Sequence, residues 1–164
     1  MNGDYELRPA DAEDLDRLVE LAAHRRAMYE RFQPRFWRAA VDARTLQRGY
    51  FAALLTDLDV LVMVGGRRRF IDGFLIARLV PPPPVYDPGG LTCLIDDFIV
   101  GKPGQWDDLG ELLLESARDW GSLRGAVQVV VVTAHLDGPK RAALRSAGLS
   151  IASEWWVGEA VASH

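Results

Sequence analysis

The stretch that most constrains this chain is residues 95–117, IDDFIVGKPGQWDDLGELLLESA. An apolar strand ends in a loop bearing Gly101, Pro103 and Gly104 and turns at once into a helix with leucines on one face. Such a joint sets a helix N-terminus, with its unpaired N–H groups and the positive end of its dipole, beside the frayed end of a strand. Phosphorylated ligands are often held at joints of this kind. Here Asp107 and Asp108 stand where a phosphate cradle normally has glycine. As caps for an empty joint they are worth roughly 0.5–2 kcal/mol together. An ionised Asp108 beside a diphosphate costs about 1 kcal/mol if well solvated and several if shielded.

The rest of the chain reads as support for that joint. Its 164 residues fit a single domain, residues 1–164, with the apolar and charged shares of an ordinary globular protein. A lone cysteine, Cys93, forbids an intrachain disulfide and fits a reducing cytoplasm. No stretch is apolar enough to cross a bilayer, and the start, MNGDYEL, lacks the basic and apolar regions of a signal peptide. The net charge of −4 argues against general nucleic-acid affinity. Basic residues are almost all arginine, with Lys102 and Lys140 the only lysines, a bias read as that of a GC-rich genome.

Residues 5–9 form a short strand, and Asp11 is placed to cap a helix running to about Arg31 with Leu15, Leu18, Val19 and Ala22 inward. A second helical run follows from Pro34 to Asp57, bent or broken. Arginines crowd residues 24–48, either as a solvated face or as a rim attracting an acidic acceptor or partner. Residues 60–64 and 70–80 make a β-hairpin about a turn at Gly65-Gly66-Arg67, and Gly73 marks a bulge or a close backbone approach. Four prolines, 81–84, form a stiff connector to a strand over residues 91–100. The helix after the joint runs to Leu123 with Leu109, Leu112, Leu113, Ala117 and Trp120 inward. Residues 126–134, almost all β-branched, read as a central parallel strand buried on both faces. Residues 138–147 form a short helix closed by Gly148, and residues 151–159 a last strand. The order β, α, α, β, β, β, α, β, α, β is that of an α/β (α+β) domain, a mixed sheet with helices on both faces.

That order, with YELRPADAEDLDRLVELA at the front and the joint in the middle, resembles the GNAT superfamily of acyl-CoA-dependent N-acetyltransferases over nearly the whole chain. The resemblance implies six to seven strands splayed at two central parallel ones. The family's joint carries Gln/Arg-x-x-Gly-x-Gly/Ala five residues after a strand-end valine; here Val100 is followed at that distance by Gln105, and Gly110 fills the last position. Trp106 and Asp108 stand where the family most often has glycines. By resemblance the cofactor is acetyl-CoA, held by Phe98, Ile99 and Val100 along the strand, by Gln105, Trp106, Asp107, Asp108, Leu109 and Gly110 at the helix start, and by Asp137 and Leu144 farther on. The family's second landmark, an asparagine with a tyrosine seven residues later, falls on Asp137 and Leu144. Leucine cannot donate the proton that the tyrosine usually gives the departing thiolate, which leaves His135 as the nearest titratable group in sequence.

The general base implied by the resemblance lies on the strand before the joint. Asp96 has the right parity and shares a face with Leu94, Phe98 and Val100, Asp97 pointing away. Burial raises a carboxyl's pKa and makes a better base near neutrality. Cys93 has no histidine beside it in sequence to activate it as a nucleophile. The leading expectation is thus direct acyl transfer from acetyl-CoA to a small-molecule or peptide amine entering across residues 24–37, with no metal, nucleic acid or membrane involved. The competing expectation, favoured by the missing glycines and tyrosine, is a GNAT-shaped module that has lost catalysis and binds a ligand, a partner protein or a second copy in a homodimer, with Trp155 and Trp156 offering contact surface.

Overall fold

The computed structural model describes residues 4–161; residues 1–3, which open the start assessed above for a signal sequence, lie outside it. Among the described residues there are five strands, β1 (Glu6–Pro9), β2 (Val60–Arg67), β3 (Phe70–Val80), β4 (Leu91–Val100) and β5 (Ala126–Val131), in one sheet of order β1-β2-β3-β4-β5. The first three pairings are antiparallel and β4–β5 is parallel. Helices α1 (Leu15–Phe32) and α2 (Ala43–Leu55) pack on one face around Leu18, Phe51 and Phe74; α3 (Glu111–Ser122) and α4 (Gly138–Ser146) pack on the other around Ile95, Phe98 and Leu113. No helix among the described residues is long and apolar enough to cross a membrane.

The start of α1 follows local chemistry. The Asp11 side chain accepts from Glu13 N–H and Asp14 accepts from Asp11 N–H, a reciprocal cap leading through a short 3₁₀ turn into the helix. The second helical run is shorter than expected. Residues 33–42 form turns, and Phe36 and Val41, apolar in sequence, lie exposed. The hairpin also differs: its turn is Arg68-Arg69, both at positive φ (51° and 67°), while Gly65 and Gly66 lie within β2. The pairing slips there, Gly65 facing Gly73 and Gly66 facing Ile71, so Asp72 is an extra residue. Its carbonyl accepts from Gly101 N–H at 2.6 Å, which ties the hairpin to the joint. The joint is seated by Leu109, fully buried over Gly65 and Gly73, where added Cβ atoms would lie 2.6 and 3.1 Å from its methyl groups.

Two expectations about the sheet are corrected. There are five strands among the described residues, not six to seven, because residues 151–159 form no strand and pair with no other described strand. In consequence β5 is an edge strand, and Val127, Val130 and Val132 are exposed rather than enclosed on both faces. The helix after the joint begins with a 3₁₀ turn (Pro103–Gln105) and one π turn (Trp106–Gly110) before α3. The wider π turn displaces the helical face, so that Leu114 is buried and Leu112, expected inward, is exposed.

Gly66 gives a direct test of the hairpin, since a Cβ there would lie 1.7 Å from the Phe70 carbonyl oxygen. Gly66→Ala is expected to lower unfolding free energy by about 3 kcal/mol or more, whereas Gly104→Ala, with nothing within 4 Å, stays within about 0.5 kcal/mol. Urea unfolding measures both, and equal small effects would show that the bulged hairpin is wrongly described.

Candidate functional site

The parallel pair β4–β5 shares hydrogen bonds only as far as Ile95 and Val131, with Val132 N–H donating to Ile95 O at 3.0 Å as the last rung. Beyond it β4 continues to Val100 while the chain after β5 turns away toward α4. Lys140, in the first turn of α4, reaches into the opening. It is fully buried, and its Nζ donates to Phe98 O of β4 at 3.0 Å and to Val132 O, just past the end of β5, at 3.2 Å. The same ammonium lies 5.5 Å from the ring centroids of both Phe98 and Trp106. Burial, and then the nearby charge of Arg25, lower its pKa from 10.5 to about 7, against the opposing pull of Asp137 and Asp97.

Lys140 is surrounded by side chains from three elements. Asp137, buried, caps α4 by accepting from Lys140 N–H and accepts from Tyr29 Oη at 2.7 Å. Tyr29 also lies 3.4 Å from Thr133 Oγ1, and burial pushes its phenol up to about 12, so it stays a neutral donor. Asp97 is buried and pairs with Arg25 at 2.7 Å. The parity reading of β4 is corrected here. Ile76 pairs with Asp97 and Ala77 with Ile95, so Asp96 is the extra residue of a bulge. Asp96 therefore lies with Arg78, 2.5 Å away, at a rim where its side chain is 38% exposed, and Phe98 faces the other helix layer. The carboxylate buried near the opening is that of Asp97. His135 is exposed, and only its carbonyl is engaged, by Arg141. Cys93 is buried against Ala117 O, and burial raises its thiol pKa, which leaves the thiol inert.

Two cavities flank the opening. One, of about 280 Å³, lies on the α1 side between Arg25, Arg26, Trp37, Arg38 and Gln47. Arg26 donates to Gln47, and burial, with Arg25 and Arg44 nearby, lowers its pKa. The other, of about 400 Å³, lies between α3 and α4, with Phe98, Trp106, Leu114 and Leu144 as apolar walls and Asp107 and Glu111 among its polar ones. Sequence reasoning missed Lys140, Tyr29 and Arg25, which come together only through the fold. Among the described residues no three His, Cys, Asp or Glu side chains gather to hold a metal ion.

The first turn of the joint is internally satisfied. Gln105 Oε1 accepts from Lys102 N–H at 2.9 Å, and its amide nitrogen lies 3.4 Å from Tyr5 Oη. Asp108 Oδ1 accepts from Leu109 N–H at 2.6 Å, and its other oxygen lies 3.9 Å from Arg67. Trp106 is buried edge-on to Phe98 at 4.9 Å, and Gly110 makes room for it, since a Cβ there would lie 2.8 Å from the indole. Asp107 is exposed at the mouth of the larger cavity. Ile99 packs toward α1 and α2, and Val100 toward α3. A CoA thioester therefore fits in part. The apolar cavity and the parted strands suit its arm, while the first turn offers carboxylates rather than free amides to its diphosphate.

No protein-family model matches the chain, and no curated protein matches it. Solved structures do. A predicted acetyltransferase with acetyl-CoA from Clostridium acetobutylicum matches with a TM-score of 0.72 at 15% identity, covering 94% of this chain and 96% of that one. A GCN5-related N-acetyltransferase from Ralstonia eutropha JMP134 matches with a TM-score of 0.68 at 20% identity over 96% and 99%. AAC(6')-Iy, in complex with the bisubstrate analogue CoA-S-monomethyl-acetylneamine, matches with a TM-score of 0.68 at 11% identity over 98% and 100%. The chain has the GNAT fold across nearly its whole length, at low sequence identity.

The buried lysine has a measurable signature. With its folded pKa near 7 and its unfolded value near 10.5, the unfolded chain holds the extra proton between those values, so stability rises with pH across that window and is flat below it. Lys140→Met is expected to flatten this rise in urea-midpoint profiles, and parallel profiles for wild type and variant would contradict the burial of the charge.

Proposed function

We propose that this protein is an acyl-CoA-dependent N-acyltransferase whose acceptor amine also carries a negative group. The observation that carries the reading is a buried lysine bonded to the Phe98 and Val132 carbonyls where the strands part, its Nζ 5.5 Å from the rings of Phe98 and Trp106, which also wall the α3–α4 cavity. The acyl group would arrive as a thioester, already activated toward an amine. Phe98, Trp106 and Leu144 wall the α3–α4 cavity in which the donor's arm would lie. Burial lowers the Lys140 pKa to about 7, which makes the neutral amine accessible near neutral pH, and a neutral amine is held less firmly by the carbonyls of Phe98 and Val132. Nζ can then take a proton on the side of Arg25 and Asp137 and yield one on the side of Phe98 and Trp106. Lys140 lies one helical turn before Leu144, on the same face of α4, and so supplies a titrating group where the family's tyrosine is missing. Asp96 and His135, proposed from sequence as base and acid, lie at the rim and in solvent, and Lys140 is the better candidate for both steps.

The α1-side cavity bears on the acceptor. Arg26 and Arg38 line it beside the Arg25–Asp97 pair, and such a wall repels a polycation and attracts a carboxylate or phosphate. An amino acid or an acidic peptide terminus fits this charge better than an aminoglycoside, although an aminoglycoside acetyltransferase from an uncultured soil metagenomic sample shares the fold. A second reading, a binding module without catalysis, is favoured by the first turn of the joint, whose Lys102 and Leu109 amides are already bonded within the chain.

Calorimetric titration with acetyl-CoA and CoA separates the two readings. Binding is expected at micromolar to millimolar ligand; no heat at millimolar donor would remove the enzyme and leave the module. Given binding, Lys140→Met is expected to lower kcat by about 100-fold or more with donor affinity retained. Unchanged turnover in that variant would exclude Lys140 from the proton path.

A further inference from the structure

The amides of the loop between β4 and α3 are already committed within the chain. Gly101 N–H donates to Asp72 O at 2.6 Å, and Lys102 N–H to Gln105 Oε1 at 2.9 Å. Gln105 N–H donates to Lys102 O at 3.0 Å, Trp106 N–H to Pro103 O, and Leu109 N–H to Asp108 Oδ1 at 2.6 Å. Pro103 has no N–H to offer. A diphosphate at a helix start is held by free backbone N–H groups aimed at it, with the dipole behind them. Here a ligand would have to break internal bonds to gain those donors, and the bonds lost offset the bonds made.

Side chains add to the opposition. Among the described residues, no basic one lines the α3–α4 cavity, and its charged members are Asp107 and Glu111. The two are four residues apart and both exposed. Asp108 stands next to them in the chain, and its second oxygen lies 3.9 Å from Arg67. That guanidinium also stacks 4.1 Å over the Tyr5 ring, so it is engaged on two sides. The deeper walls differ in character. Phe98, Trp106, Leu114 and Leu144 are apolar, and Ser146 adds an uncharged hydroxyl. A cavity built this way suits an uncharged, amide-bearing chain and repels a polyphosphate attached to its end.

We infer that the acyl donor is recognised by its acyl-pantetheine arm alone, the nucleotide diphosphate of a CoA donor staying in solvent. This rests on the proposed acyl transfer and narrows what the chain reads in its donor. The substrate class is then wider than CoA. It takes in thioesters of pantetheine and of 4′-phosphopantetheine, which keep the arm and lack the diphosphate. The sign of the salt effect follows from the same charges. Repulsion between exposed charges is screened by salt, so affinity for polyanionic acetyl-CoA rises with ionic strength. A site that grips phosphate through cations behaves in the opposite way. Acetyl-pantetheine, which is uncharged, responds little.

Calorimetric titration of the full chain with acetyl-CoA and with acetyl-pantetheine, at about 0.05 and about 0.5 M salt, reads the outcome. Acetyl-pantetheine is expected to bind within about 10-fold of acetyl-CoA or better, with acetyl-CoA gaining at the higher salt. The double substitution Asp107→Asn/Glu111→Gln changes two exposed residues and removes both carboxylates. It is expected to shift the ratio of the two affinities about 10-fold toward acetyl-CoA. Acetyl-CoA bound by wild type more than about 10-fold more tightly than acetyl-pantetheine overturns the inference and leaves acyl transfer standing. So does an affinity for acetyl-CoA that falls with salt, or a ratio that the double substitution leaves unmoved. Heat from neither donor overturns both readings.

Discussion

The last shared hydrogen bond between β4 and β5, Val132 N–H to Ile95 O, divides this protein. Before it the two strands are an ordinary parallel pair. After it the backbone groups of β4 have no strand partner on that side, and buried carbonyls must find a donor or carry a desolvation cost. Lys140 meets the need for Phe98 and Val132 together. The exchange is costly for the lysine, whose charge is drawn out of water, and that cost appears as its depressed pKa. The polar cluster of Tyr29, Asp137, Arg25 and Asp97 then forms around a cation that holds two strands a fixed distance apart.

Features set by neighbours in sequence were legible before the structure. The Asp11 cap, the hairpin strands, the strand–loop–helix joint and the Gly148 stop each follow from a few adjacent residues. What escaped depends on distant contacts or on single inserted residues. Phe98 and Lys140 are 42 residues apart, and no local pattern links them. One signal was present. In a chain whose basic residues are almost all arginine, Lys140 is one of two lysines, and lysine, unlike arginine, shifts its pKa readily when buried. The assignment of Asp96 assumed strict alternation along β4, and the bulge broke it. For residues 151–159 the strand-forming composition was readable, but pairing depends on an edge that another part of the chain supplies.

The joint shows how one fold accommodates a different first turn. Where glycines would bare the amides, Trp106 packs on Phe98, Asp108 bonds the next amide, and a π turn absorbs the bulk. The start of the helix is fixed by Leu109, which is seated on the glycines of β2 and β3. Leu109 thus seats the turn, while Trp106 and Asp108 satisfy its first residues from within the chain.

The extra residue in β4 has a wider meaning than the displacement of one carboxylate. Side chains on a strand alternate, so inserting one position exchanges inside and outside for everything downstream. Because Asp96 is bulged out, Ile95 and Phe98 both stay on the α3 side. Were it taken into the regular alternation instead, Phe98 would turn toward α1 and Ile99 toward Trp106, uncoupling the aromatic stack from the lysine above it. The site is in this sense phased: its composition could be preserved in full and its chemistry still be lost to a shift of a single residue.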